Sequence, residues 1–134
     1  MNALDTNILA RFLVRDDAEE AESVYRLFKA AESEKAVFFV SLPVLLELIW
    51  VLDSVYAIAR NEILDALAEL LLLPILVFEA QPAVRSFIAD GRKNNLDLSD
   101  LLIGFAARSS GCEAVLTFDK KAAQSDLFTL LVNQ

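Results

Sequence analysis

The stretch "LDLSDLLIGFAARSSGCEAVLTFDKKA", residues 96–122, carries the signals that decide the fold. Asp97 and Asp100 are spaced as the N-cap and third residue of a helix, where both can satisfy backbone N–H groups that the first turn leaves open. Gly111 stops that helix. Ala114–Phe118 then reads as a short strand, and Asp119 closes it. Outward from this unit the same alternation continues, with candidate strands at Asn2–Asp5, Val37–Ser41, Ile75–Glu79 and Phe128–Val132.

Segments of helical period lie between the strands. In residues 16–32, Ala21, Val24, Leu27 and Phe28 form one stripe, with Glu19, Glu20, Glu22, Arg26 and Lys29 outside it. Asp17 and the acids after it suit that helix's N-terminus. Residues 42–56 are apolar nearly all round, which predicts a buried helix with Pro43 in its first turn. Ile63, Leu64, Leu67, Leu70 and Leu71 form the stripe of a helix ending at Pro74. Pro82 opens another, ended by Gly91. Strands alternating with helices of this length imply parallel βαβ units and a single three-layer α/β/α sandwich over 1–134, with about five strands. Ligands of such sheets bind beyond the carboxyl ends of the strands.

Composition removes several chemistries. The 134 residues include no histidine and one cysteine, so His-based nucleophilic dyads, His-ligated zinc and internal disulfides are excluded. Cys112 is expected to be a small buried packing residue. No apolar run reaches the ~18–20 residues of a membrane span, and no basic n-region follows Met1. A cytoplasmic location without membrane association is the expectation. The net charge of −8 argues against a simple electrostatic binder of nucleic acid, but divalent cations reverse the local sign of an acidic site.

The acids are therefore the residues to follow. Asp5 and Asp119 each end a strand, and each alone is explained as a helix cap worth about 1 kcal/mol. Glu47 shares its helical direction with Pro43, Val44, Trp50 and Val51, an apolar setting in which a carboxylate needs a partner or loses its charge. Asp53 lies about 240° away and is expected in solvent. Asp97 can cap its helix while Asp100 faces a site. Gathered at one sheet edge, four acids would repel one another and call for a divalent cation. Oxygen ligands alone favour Mg2+ or Mn2+.

These residues resemble the PIN-domain ribonucleases, most closely the VapC-like toxins of toxin–antitoxin modules. The resemblance rests on "ALDTNILARFL", "VSLPVLLELIWVL", "LDLSDLLIGFAARSSGCEAVLTFDKKA" and "FTLLV", in the family's order and spanning nearly the whole chain. It implies strand order 3-2-1-4-5 and metal binding by Asp5, Glu47, Asp100 and Asp119, with Thr6, Asn7, Asp97 and Thr117 in support. It further implies Mg2+- or Mn2+-dependent hydrolysis of RNA phosphodiester bonds, a homodimer and a cognate antitoxin protein. Arg11 and Arg15 follow Asn7 at four-residue steps and would share a helix face. With Arg92, Lys93, Lys120 and Lys121 they are candidates for contacting the RNA backbone. One departure is Ser125-Asp126-Leu127, where the family often has a Pro-Gly-type turn.

Other readings fit less well. A haloacid-dehalogenase-type phosphatase needs a second Asp where Asn7 stands. A receiver domain needs Asp where the third strand ends in Glu79. A PIN-like fold can also act as a catalytically silent RNA- or protein-binding module, but all four acids are present.

Overall fold

The computed structural model describes residues 1–132. The chain divides into two compact units, Met1–Glu79 and Ala80–Gln134.

In the first unit the order is β1 (Asn2–Ala3), α1 (Thr6–Leu13), α2 (Ala18–Glu34), β2 (Phe38–Val40), α3 (Leu42–Ser54), α4 (Arg60–Leu71) and β3 (Leu76–Phe78). The three strands are parallel with β2 in the middle, Asn2 opposite Phe38 and Phe38 opposite Leu76. Local chemistry starts the helices where the sequence indicates. Asp17 accepts the Glu20 N–H at 3.0 Å, and Glu19 and Glu20 sit in the first turn of α2, where acids complement the helix dipole. Ser41 caps α3 by accepting from the Val44 N–H at 3.3 Å. The core is built from Leu9, Val40, Leu45, Leu48, Leu52 and the α4 residues Ile63, Leu64, Leu67 and Leu70, all fully buried. Phe28 bridges Phe12 and Phe38, with ring centroids 5.0 and 6.1 Å away. On α2 the buried stripe is Val24, Phe28 and Ala31, while Leu27, expected inside, is 40% exposed.

The second unit contains α5 (Gln81–Gly91), α6 (Leu98–Ser109), β4 (Val115–Thr117), a 3-10 turn (Ala122–Gln124) and β5 (Phe128–Leu130). β4 and β5 are parallel, with Val115 opposite Phe128. Phe87, Val84, Leu101 and Leu102 fill its interior. Pro82 lies in the first turn of α5, and Gly91 is its last residue, as expected. Ser125 stands in for the Pro-Gly-type turn. Its hydroxyl accepts the Leu127 N–H at 3.2 Å, and its carbonyl accepts the Phe128 N–H at 3.1 Å.

Among the described residues, six α-helices with parallel strands make the mixed α/β class that the alternating pattern predicts. Every strand is shorter than the sequence suggests, because its ends are taken over by caps and turns. Asp5, expected as the last residue of the first strand, is the N-cap of α1. Among the described residues no helix is long and apolar enough to cross a membrane.

Cys112 is a correction, since it is exposed. The end of α6 explains why. Gly111 adopts φ +92, its N–H donates to Arg108 O at 3.0 Å, and the Cys112 N–H donates to Ala107 O at 3.1 Å. This paired closure of a helix end requires the left-handed residue that glycine supplies. It fixes the backbone of Cys112 at the helix terminus, with the side chain left outside the core.

Candidate functional site

In the first unit the β-ladder delivers Asp5. Leu4 N–H donates to Phe39 O at 3.0 Å, so the chain is held up to the residue before the acid. Asp5 is exposed, and its Oδ1 accepts the Thr6 N–H at 2.8 Å. Thr6 is 2% exposed and its Oγ1 has no hydrogen-bond partner, a costly arrangement for a buried hydroxyl. Asn7 is exposed.

Glu47 is a second correction. It does share a face with Pro43 and Trp50, but that face of α3 is not the covered one. Glu47 and Pro43 are exposed, and Trp50 is 59% exposed. The buried stripe is instead Leu45, Leu48, Ile49 and Leu52. The start of α3 is held by a residue that sequence reasoning missed in this role. Glu79, just past β3, accepts the Leu42 N–H at 2.8 Å while its own N–H donates to Val40 O at 2.9 Å. Its position at the end of a strand was the available signal.

The arginines also differ from expectation. α1 ends at Leu13 and its C-cap Val14 is extended, so Arg15 lies beyond the helix and does not share a helical face with Asn7 and Arg11. The Arg11 guanidinium donates to Glu20, to Asp16 at 3.3 Å and to the Tyr56 hydroxyl at 2.8 Å, and Tyr56 donates in turn to Asp16 at 3.1 Å. Glu20, then Tyr56, hold its proton more firmly than in a free side chain. Its donors are thus turned inward on the unit's own acids and tyrosine.

In the second unit Asp97 has the expected cap, with Oδ1 accepting the Asp100 N–H at 3.0 Å. Asp100 is half-buried. Burial pushes its carboxyl above the ordinary carboxylate range, and the charges of Asp97 and Asp119 add to that shift. Asp119 is placed by its own turn. Its N–H donates to Thr117 Oγ1 at 3.0 Å, and its Oδ1 accepts from the N–H groups of Lys121 at 2.9 Å and Ala122 at 3.2 Å. Thr117 therefore fixes the approach to Asp119. Gly104 permits the packing behind this group, because a Cβ there would stand 2.9 Å from Leu127 Cβ and Cδ1 and 3.2 Å from Phe128. Arg92, Lys93, Lys120 and Lys121 are all exposed.

The structure brings Asp97 and Asp119 each within electrostatic range of Asp100 in the second unit. Within neither unit do three or more Cys, Asp or Glu side chains among the described residues form a group that could hold a metal ion.

Comparison with known proteins follows the same residues. Residues 3–126 match the PIN domain family, and the chain belongs to that family. It is also similar to a VapC ribonuclease of Aquifex aeolicus (strain VF5), with 26% identity over 121 residues covering 90% of this chain and 89% of that protein. No solved structure gives a significant match.

Proposed function

We propose that the chain is a Mg2+- or Mn2+-dependent ribonuclease that hydrolyses RNA phosphodiester bonds, a VapC-like toxin forming one PIN-like domain over 1–134. The observation that carries this reading is Asp100, half-buried and charged against Asp97 and Asp119 in a chain of the PIN family. A bound divalent cation would relieve the repulsion that Asp97 and Asp119 exert on Asp100. In this reading Asp5, Glu47, Asp100 and Asp119 supply the oxygen ligands. Asp97 holds the first turn of α6 so that Asp100 is presented from a fixed backbone. Thr117 sets the turn of Asp119, while Thr6 and Asn7 shape the turn after Asp5.

A bound divalent cation would neutralise phosphate charge and stabilise the charge developing in the transition state. With no histidine in the chain, a carboxylate is left to accept the proton of the attacking water. Lys120 and Lys121 follow Asp119 directly and, with Arg92, Lys93 and Arg15, are assigned to the RNA backbone. Arg11, held by Glu20, Tyr56 and Asp16, is assigned instead to bracing the end of α1.

The reading also includes a cytoplasmic location, a homodimer and an antitoxin protein that covers the acids. Light scattering at micromolar concentration is expected to give twice the monomer mass, and a monomeric mass would remove the dimer. The product of an adjacent reading frame is expected to co-purify, and failure to do so would remove the antitoxin.

Cleavage of a mixed RNA pool by the purified protein, with Mg2+ or Mn2+ and with chelator, tests the reaction. Cleavage that requires the cation and spares DNA is the expected result. A folded, partner-free protein that neither cleaves RNA nor binds Mn2+ would instead be a silent binding module.

A further inference from the structure

A pocket of about 370 Å3 opens in the second unit between α5, α6 and the turn before β5, room for one nucleotide-sized ligand. One wall carries Asp90 and, in the turn that continues α5, Lys93, whose N–H donates to Asp90 O at 2.9 Å. The α6 wall carries Phe105 and Arg108, one turn apart on the same face. Asp126 and Leu127 close it. Two features distinguish it from a solvated crevice. Asp90 is clamped, because Asn94 Oδ1 accepts the Leu96 N–H at 3.1 Å while Asn94 Nδ2 donates to Asp90 O at 2.9 Å and to its Oδ2 at 3.1 Å. The Arg108 guanidinium lies 5.9 Å from the Phe105 ring centroid and 3.6 Å from the Asp126 carboxylate, an ion pair open to water and therefore weak.

We propose that this pocket takes one unpaired guanine nucleotide of the RNA, which rests on the ribonuclease reading for the identity of the strand. Two cations and two carboxylates around an aromatic ring select a flat ligand that is anionic at one end and rich in N–H donors at the other. A bare anion would be repelled by Asp90 and Asp126, and a metal ion by Lys93 and Arg108. An apolar ligand would bury all four charges. A nucleotide satisfies every group. Its base stacks on Phe105 and the Arg108 guanidinium, the kinds of surface that hold splayed-out RNA bases, and its phosphate meets Lys93. Asp90 then reads the base edge, since a carboxylate only accepts. Guanine offers it two adjacent donors, N1–H and the N2 amino group. Adenine and cytosine set a ring acceptor beside their amino group, and uracil sets a carbonyl on either side of its N–H. Phe105 and Arg108 stand five and eight residues beyond Asp100 on α6, the latter roughly 12 Å along the helix axis. A guanine seated there sets the register of the strand against Asp100 and gives the nuclease a sequence preference.

The test titrates the full-length protein into short fluorescent oligouridines that carry one central guanine, adenine or cytosine, or none, in chelator so that binding is read without cleavage. The guanine strand is expected to bind about tenfold more tightly than the other three. Asp90→Asn should abolish that preference. Glu113→Gln, which removes an exposed charge of the same unit outside the pocket, should keep it. Phe105→Leu should weaken binding of the guanine strand by about tenfold through lost stacking, in a protein whose circular dichroism is unchanged. Equal binding of the four strands would overturn the proposal, and so would a preference that survives Asp90→Asn in a folded protein. Displacement of the guanine strand by an equal concentration of guanosine 5′-monophosphate would also overturn it, by assigning the pocket to a free nucleotide. A guanine preference beside no cleavage in Mn2+ would sustain the pocket and remove the reaction, whereas cleavage without any preference would remove the pocket and keep the reaction.

Discussion

The two units solve opposite problems. The first disperses a large excess of carboxylates over the outside of a three-stranded sheet and four helices, and several of those acids are used at helix ends or in side-chain networks. Asp17 caps α2, Glu79 holds the first N–H of α3, and Asp16 and Glu20 hold Arg11. The second is balanced in charge, yet it sets Asp97, Asp100 and Asp119 close enough that burial and its neighbours push the Asp100 carboxyl up. Net charge therefore does not locate the chemistry. Local crowding of like charges in a half-buried setting is what singles out Asp100.

That contrast can be broken most strongly from the packing of the second unit. Phe87 is fully buried between α5 and its neighbours. Phe87→Ala should lower unfolding free energy by about 3–5 kcal/mol, read by urea denaturation. Glu19→Gln, on the exposed face of α2, should change it by less than about 0.5 kcal/mol. A smaller step is Gly104→Ala. Its methyl would meet Leu127 and Phe128 at 2.9 and 3.2 Å, so overpacking should cost about 1–3 kcal/mol and disturb the turn that presents Asp119.

The smallest effect is the most diagnostic, because it has the opposite sign. The folded state holds the Asp100 proton more tightly than the unfolded chain does. Charging Asp100 therefore costs stability as pH rises above its ordinary value of 3.8. In chelator at pH 7, Asp100→Asn should raise the melting temperature slightly, and the gain should vanish below pH 3.8, where the carboxyl is protonated in both states. A loss of stability at pH 7 would mean that Asp100 contributes contacts outweighing the repulsion. Added Mg2+ should stabilise the natural protein more than this variant.

Much of this arrangement is legible in the sequence, because its determinants are local. The caps of Asp17 and Asp97, the stop at Gly111 and the α4 stripe follow from residues within a few positions of one another. Periodicity also places Glu47 correctly beside Pro43 and Trp50. It cannot say which face of α3 the rest of the unit covers, and so it puts Glu47 in an apolar setting that is open to solvent. The same limit applies to Cys112, whose backbone is fixed by the helix end while its side chain is exposed. The bonds of Glu79 to Leu42 and of Arg11 to Tyr56 join residues 37 and 45 positions apart. Such bonds depend on how distant segments meet, which no local pattern encodes. The end of α1 at Leu13 is a local event that the four-residue spacing of Asn7, Arg11 and Arg15 overrode.

The central claim is that Asp5, Glu47, Asp100 and Asp119 are each needed for metal-dependent cleavage of RNA. Its most direct test is the single-turnover rate of RNA cleavage in Mn2+ for the natural protein and for Asp5→Asn, Glu47→Gln, Asp100→Asn and Asp119→Asn, each shown to be folded. The account predicts that each substitution lowers the rate by at least about 10^2–10^3-fold, as loss of a preorganised transition-state contact does. Undiminished cleavage by Asp5→Asn or Glu47→Gln, beside loss in Asp100→Asn and Asp119→Asn, would contradict it and confine the chemistry to the second unit.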